Sequence, residues 1–341
     1  VSTHEHWDHI SGFYQALPKF EKMKIGEVWQ AWTEDPENSL ANELRAKYEK
    51  AKLALVKLMR LARAAPGAAA SRALSDAFNI MNFFGVDEHG DEAGPYQQIK
   101  ALMASKNPSY FSPGDVEPLG DTGVDVFVLG PPASEKSLRK QDIAKGDAYH
   151  KQQLAFFDGL EAMLGSVAAG FAEGTGDLEN RPFDARKEIP IAAARESEFF
   201  QTVYGFGPDH AEYFRSIDDL AHETLGSLAL RMDKYINNTS LVLAFRLPTG
   251  KVLLFPGDAQ GGNWKSWADP AAPLKFAAEE LDAHDLLAQT VLYKVSHHGS
   301  HNATPRTFGL DRMTHPELRA LVPVDGAIAR GAGYGEMPLA A

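Results

Sequence analysis

The first twelve residues include Thr3-His4-Glu5-His6-Trp7-Asp8-His9-Ile10-Ser11-Gly12, in the order His-x-His-x-Asp-His. This places the metal-capable side chains of His4, His6, Asp8 and His9 within six positions. Side chains alternate along an extended segment, so His4 and His6 project to one side. Asp8 and His9 follow where small residues open a helix. One short loop can then serve two neighbouring divalent ions. Chance is a poor account of this order in a chain with 12 His. The bland alternative is a solvated His-rich end, and matching residues far downstream argue against it.

Two such matches stand out. Leu253-Leu254-Phe255-Pro256-Gly257-Asp258 reads as a buried strand ending in Gly-Asp, and Leu292-Tyr293-Lys294-Val295-Ser296-His297-His298-Gly299-Ser300 as a strand ending in His-His-Gly-Ser. Each sets a ligand type just past a strand end, where a loop can present it. Gly-Asp alone is an ordinary turn; the three motifs together, in this order, resemble the metallo-β-lactamase superfamily. The resemblance implies an α/β fold, a metallo-β-lactamase-like αββα sandwich. Its core would comprise residues 1–13 and 236–341. The stretch 14–235 would be a mostly helical insertion plus a core strand near 124–129.

The resemblance also implies roles. His4 and His6 would bind one metal, Asp8 and His9 a second, and Asp258 would bridge them. In phosphoesterase relatives ending in Lys-x-x-His-His-Gly the second His is the ligand. That favours His298, although His297 stays open. Lys294 and His297 would then lie near an anionic group of the substrate, with Asp8 both ligating and orienting the nucleophile. Imidazole and carboxylate suit zinc, with two ions expected, and also manganese or iron. A bound divalent ion lowers the pKa of its water toward neutrality and so generates a nucleophile. The chain has no Cys, which excludes a thiolate variant.

One element departs from that family. A third His for the first metal usually precedes the Gly-Asp motif. Here Val124-Asp125-Val126-Phe127-Val128-Leu129 runs into Gly130-Pro131-Pro132 without one, and His150, His210 and His222 lack the context. The same absence is similar to the hydrolase domain of DNA-uptake competence proteins, as is Asn237-Asn238-Thr239-Ser240-Leu241-Val242-Leu243. A weakly held first metal is the expected consequence.

The function implied is hydrolysis of a phosphoester or phosphodiester. A lactonase or β-lactamase activity is the alternative within the fold, and a non-catalytic binding module with a degenerate site is the alternative outside it. At 341 residues, 44% hydrophobic and 23% charged, the composition is that of a globular chain. No apolar run reaches the roughly 18 residues that span a membrane. A net charge of −12 lowers the expectation of long nucleic acid and favours a small-molecule or phosphoester substrate. Arg45, Lys47, Lys50, Lys52, Lys57, Arg60 and Arg63 form a basic helix face that reads as solvated and paired. Lack of Cys favours a cytoplasmic setting. The chain starts at Val1 inside the metal motif, so an N-terminally truncated fragment is expected, with an unpaired sheet edge.

Periodicity places the elements that must position these residues. A helix is expected over 13–23 and a strand over 24–32. Leu44, Tyr48, Ala51, Leu55, Leu58 and Ala62 mark a long helix ended by Pro66-Gly67, and a second helix covers 69–83. An acidic loop at 87–92, a helix over 96–105 and a loop over 107–123 follow. Helices are then expected over 147–173 and 210–232, with a polar excursion or lid at 174–197. Strands 239–247 and 251–256 turn at Pro248-Thr249-Gly250. Gly261-Gly262-Asn263-Trp264 reads as a loop at the site mouth. Trp264 and Trp267 either line the entrance or anchor the next helix, expected over 272–285. A strand over 288–296 ends the series.

Overall fold

Alternation decides where the strands lie. Phe127 and Leu129 face one way and Val126 and Val128 the other, and all four are fully buried. A strand covered on both faces requires that. The computed structural model describes residues 1–64, 78–82, 84–86, 94–138, 189, 191–204, 229, 232–233, 235–269, 271–276, 280–300 and 302–331. Within them β1 (Val28–Ala31) and β2 (Pro108–Phe111) form a parallel pair. A six-stranded sheet follows chain order: β3 (Val116–Pro118), β4 (Asp125–Gly130), β5 (Val242–Arg246), β6 (Val252–Phe255), β7 (Thr290–Lys294) and β8 (Arg319–Leu321). Neighbours from β3 to β6 are antiparallel, while β6–β7 and β7–β8 are parallel.

The mixed sheet follows from its connections. β5 and β6 are joined by a tight turn at Pro248-Thr249-Gly250, where Gly250 takes φ +81° and its N–H donates to Leu247 O at 2.8 Å. That hairpin can only be antiparallel. Between β6 and β7 the chain forms two short helices, Gly261–Ala268 and Ala283–Ala288, and a crossover of that length permits parallel pairing.

Four layers result. Ile10 of α1 (Trp7–Gln15) and Tyr96, Ile99 and Met103 of a helix over Gly94–Ala104 pack with Val28 on one side of β1. Ala31 and Phe111 on the small sheet pack against Val126, Val128, Leu241 and Leu243 on the large one. On the far face, Phe127, Leu129, Val242 and Leu254 meet Trp264, Trp267, Leu286 and Leu287. The long helix Ser39–Ala64 buries Leu44, Tyr48, Leu55 and Met59 in a separate cluster with Met81, Phe84, Met232 and Tyr235. Its basic face is partly paired, Lys47 with Glu43 at 2.7 Å and Lys52 with Glu49 at 2.8 Å. Among the described residues no helix is long and apolar enough to cross a membrane.

Three local readings are corrected. The stretch 107–123 is not a plain loop, because it carries β2 and β3. Pro, Gly and Asp signal breaks, but Pro108 opens its strand, where a missing N–H costs little. The helix expected over 272–285 is instead Ala283–Ala288, started by Asp282. The Asp282 carboxylate accepts from His284 N at 2.8 Å and Asp285 N at 3.1 Å, a capping box that marks a helix start rather than an interior. Gly261-Gly262-Asn263-Trp264 opens a helix, not a loop. Trp264 and Trp267 are fully buried in that helix against the sheet, which settles them as anchors. Residues 78–82 of the expected second helix are helical. The calls over 87–92 and 147–173, most of 210–232, and the 174–188 part of the excursion lie outside the described residues.

Candidate metal centre

The N-terminal segment is laced into the sheet system. Ser2 N donates to Trp29 O at 3.0 Å, and Leu241 N donates to Thr3 O at 2.8 Å. This holds His4 and His6 extended between β1 and the approach to β5. His6 keeps extended backbone at the start of α1, and Asp8 and His9 fall in its first turn. Gly257, at φ +59°, turns the chain after β6 into Asp258. A Cβ at Gly257 would come within 3.1 Å of both Thr3 and Ser240 side chains, so conformation and closeness both favour glycine. After β7, His297 and His298 take φ of +41° and +52°. Left-handed backbone at residues with side chains costs about 1–3 kcal/mol each and persists where a site needs it.

These loops bring together the ends of the chain. One ligand atom each from Asp8, His9, Asp258 and His298 lies within 4.8 Å of all the others. His298 Nε2 is 3.0 Å from Asp8 Oδ2 and 3.5 Å from Asp258 Oδ2. His9 Nε2 is 3.1 Å from Asp258 Oδ2 and 3.5 Å from Asp8 Oδ2. The His9–Asp258 approach lacks hydrogen-bond geometry, and His9 Nε2 has no hydrogen-bond partner. Asp258 Oδ1, also buried, is likewise unpartnered.

Ring orientation is the more telling feature. His4 Nδ1 contacts Ser240 Oγ and Thr3 Oγ1, each at 3.2 Å, and its Nε2 faces His6 Nδ1 at 3.1 Å. His9 Nδ1 contacts Thr3 Oγ1 at 3.3 Å. His298 Nδ1 donates to Pro323 O at 2.8 Å. His4, His9 and His298 thus each engage an outer oxygen with Nδ1 and leave Nε2 on the side of the other ligands. Metal-binding histidines are held in this way, because the outer bond fixes the tautomer and leaves the inner lone pair free. Buried nitrogens and oxygens without partners otherwise cost about 1–3 kcal/mol each. The donor set therefore fits a divalent cation, though it does not specify which one.

The electrostatics agree. Burial pushes His4 well below its ordinary range and His6 down to about 4, so both rings are neutral near pH 7. Burial alone would raise Asp258, yet His9 and His298 hold it well below the usual carboxylate range. Asp8 is lowered against the same opposing burial, by His298 and then His9. His298 is raised to about 11 by Asp258 and then Asp8. Asp8 is nearer, but Asp258 is the more buried carboxylate and acts through less solvent. Without metal, the proton on His298 is the cation of this cluster.

His297 is built differently. Its Nδ1 contacts Ser300 Oγ at 2.6 Å, Gln260 Nε2 at 3.3 Å and Asn302 Oδ1 at 3.3 Å, and its Nε2 contacts Asn237 Nδ2 at 3.3 Å. Both nitrogens are engaged outside the carboxylate cluster, so His298 is the better placed ligand of the pair. Burial lowers His297. Lys294 ends β7 half-buried. It lies on the strand face opposite Tyr293, whose ring packs on the helix side. Among the described contacts none joins Lys294 to the cluster.

Sequence reasoning named Asn237 to Ser240 only through resemblance and did not identify their work. Asn238, fully buried, accepts from Gln260 N at 3.1 Å and Asn263 N at 3.3 Å. Ser240 Oγ accepts from Asp258 N at 3.0 Å. A polar run directly before an apolar strand was the available signal. Comparison with protein-family models, with curated proteins and with solved structures found no match.

Proposed function

We propose that the chain is a metal-dependent hydrolase on the metallo-β-lactamase sandwich, holding two divalent ions, zinc foremost, and cleaving a phosphoester or phosphodiester. The carrying observation is the convergence of Asp8, His9, Asp258 and His298, one ligand atom from each lying within 4.8 Å of the others. The four-layer order of helices and sheets supports the same reading. When bound, the ions supply Lewis acidity and bring a water's pKa toward neutrality.

The residues divide the remaining work. His4 and His6 would hold the first position, and Asp8, His9 and His298 the second. Asp258 keeps Oδ2 beside His9 and His298 and has Oδ1 unpartnered, so it would be available as a shared carboxylate ligand. Asp8, in the first turn of α1, orients the attacking oxygen. His297 and Ser300 lie beside the cluster, and one of their present contacts would give way for either to reach a phosphate oxygen. Lys294 is assigned the substrate anion and would reach it from the end of β7.

The test is metal content with turnover of a chromogenic phosphodiester, a phosphomonoester, a cephalosporin and a lactone, with Asp258→Ala alongside. About two ions, with phosphoester turnover lost in the variant, is the expected result. Turnover of the cephalosporin or lactone alone would replace the substrate assignment. A folded chain that takes no ion would leave a non-catalytic binding module.

A further inference from the structure

We propose that Asp233 is the positioning carboxylate of the first metal position, and that through Asn237 it also sets the orientation of His297. This rests on the metal-centre reading above. His6 turns Nδ1 toward His4 Nε2 at 3.1 Å. If Nδ1 supplies the lone pair, the ring proton must sit on Nε2. That nitrogen is buried and has no hydrogen-bond partner. The acid facing it is Asp233, whose Oδ1 is 3.7 Å away. A ring shift of about half an ångström would make that contact a hydrogen bond. His4, His9 and His298 all meet their outer partners on hydroxyl or carbonyl oxygens. His6 is the histidine of this set whose outer nitrogen faces a carboxylate. That arrangement raises ligand basicity, and it falls at the metal position that lacks a third histidine.

The other oxygen extends the argument. Asp233 Oδ2 accepts from Asn237 Nδ2 at 3.2 Å, and the same amide nitrogen lies 3.3 Å from His297 Nε2. Asn237 is 1% exposed, so no solvent competes for its two N–H groups. Facing a carboxylate fixes the amide with nitrogen, not oxygen, toward Asp233. His297 Nε2 must then accept, and its proton lies on Nδ1. There Ser300 Oγ at 2.6 Å and Asn302 Oδ1 at 3.3 Å can receive it. A half-turn of the Gln260 amide would also present its unpartnered Oε1 to that N–H. One carboxylate thereby sets the tautomer of a histidine from each end of the chain.

The experiment uses the full chain as wild type, Asp233→Asn, Asp233→Glu and Asn237→Ser. Each is titrated with zinc and with cobalt(II) against a competing chelator, and assayed on the chromogenic phosphodiester. Asp233→Asn is expected to keep one ion at wild-type affinity and weaken the other by roughly 10- to 100-fold, with a changed cobalt absorption for the weakened ion. Asp233→Glu should recover part of that loss. Asn237→Ser should keep both affinities and lower kcat more than it raises KM. It also tests the relay should Asp233→Asn fail to fold. The proposal is overturned alone if the wild type binds ions and Asp233→Asn holds them equally well, or if Asn237→Ser turns over like the wild type. A wild type that binds no ion overturns the metal-centre reading and this proposal with it.

Discussion

Asp8 and His298 stand 290 residues apart in sequence and 3.0 Å apart in space, Oδ2 to Nε2. Without metal this is an ion pair, with His298 raised to about 11 by Asp258 and Asp8. A cation that takes His298 as a ligand must displace its proton, because a ligating imidazole is neutral. His4 and His6 are held low by burial and have no proton to lose near pH 7. Zinc binding at pH 7.5 is therefore expected to release at least one proton, that of His298. Calorimetry in buffers of different ionisation enthalpy measures that number. A value near zero would remove His298 from the ligand set.

The scaffold behind the ligands makes its own prediction. Asn238 Oδ1 accepts from Gln260 N and Asn263 N, and its Nδ2 donates to Leu138 O at 3.1 Å. Asn263 returns the bond, donating to Asn238 O at 3.1 Å and Ser240 O at 3.0 Å. Asn238→Ala leaves buried N–H groups without acceptors and is expected to cost roughly 3 kcal/mol. Chemical denaturation measures it. Because Gln260 follows Asp258 by two residues, zinc affinity should fall as well. A loss under about 1 kcal/mol would show that water replaces the amide.

Glu34 offers a pH signature away from the ligands. Burial, and then the neighbouring Glu5, raise it to about 8. Both folded and unfolded chains hold this proton below about 4.5. Between that value and 8 the unfolded chain gives the proton up and the folded chain keeps it, so the Glu34 contribution to stability falls as pH rises. Glu34→Gln removes that linkage. Its melting temperature should drop less than that of the wild type between pH 5 and pH 8. Parallel curves would mean that Glu34 ionises normally in the folded protein.

Much of the site was legible because its signals are local. The His4 to His9 spacing, the Gly257-Asp258 turn and the His297-His298 pair each carry their chemistry within a few residues. Gly257 is a case where residue type and backbone agree, since φ +59° and contacts at 3.1 Å both favour glycine. The strands β4 to β7 were legible as short apolar runs bounded by turn or motif residues. The rest was decided by partners distant in sequence. β2 exists because Pro108 to Phe111 can pair with β1, and no residue between 107 and 123 announces it. Trp264 and Trp267 could face a site or a core by composition alone; packing against the sheet decided. Asp233 and Asn237 are themselves helical and acquire meaning only where the fold brings His6 and His297 to them.

The two adjacent histidines separate ligation from catalysis. His298 turns Nε2 into the carboxylate cluster, whereas His297 engages amides and a hydroxyl. His298→Ala removes an inward nitrogen and should lower the affinity of one ion while turnover is lost. His297→Ala removes no inward nitrogen, so both ions should stay. General acid–base catalysis contributes typically 10²- to 10⁴-fold, and a His297 that serves in that role predicts a His297→Ala loss in kcat in that range. His297 and His298 share a strained segment, with φ of +41° and +52°. A His297→Gly control, which accepts that backbone freely, distinguishes a chemical loss from a shape change. Should His297→Ala lose an ion while His298→Ala keeps both, the assignments exchange, and the left-handed turn after β7 presents the first histidine instead of the second.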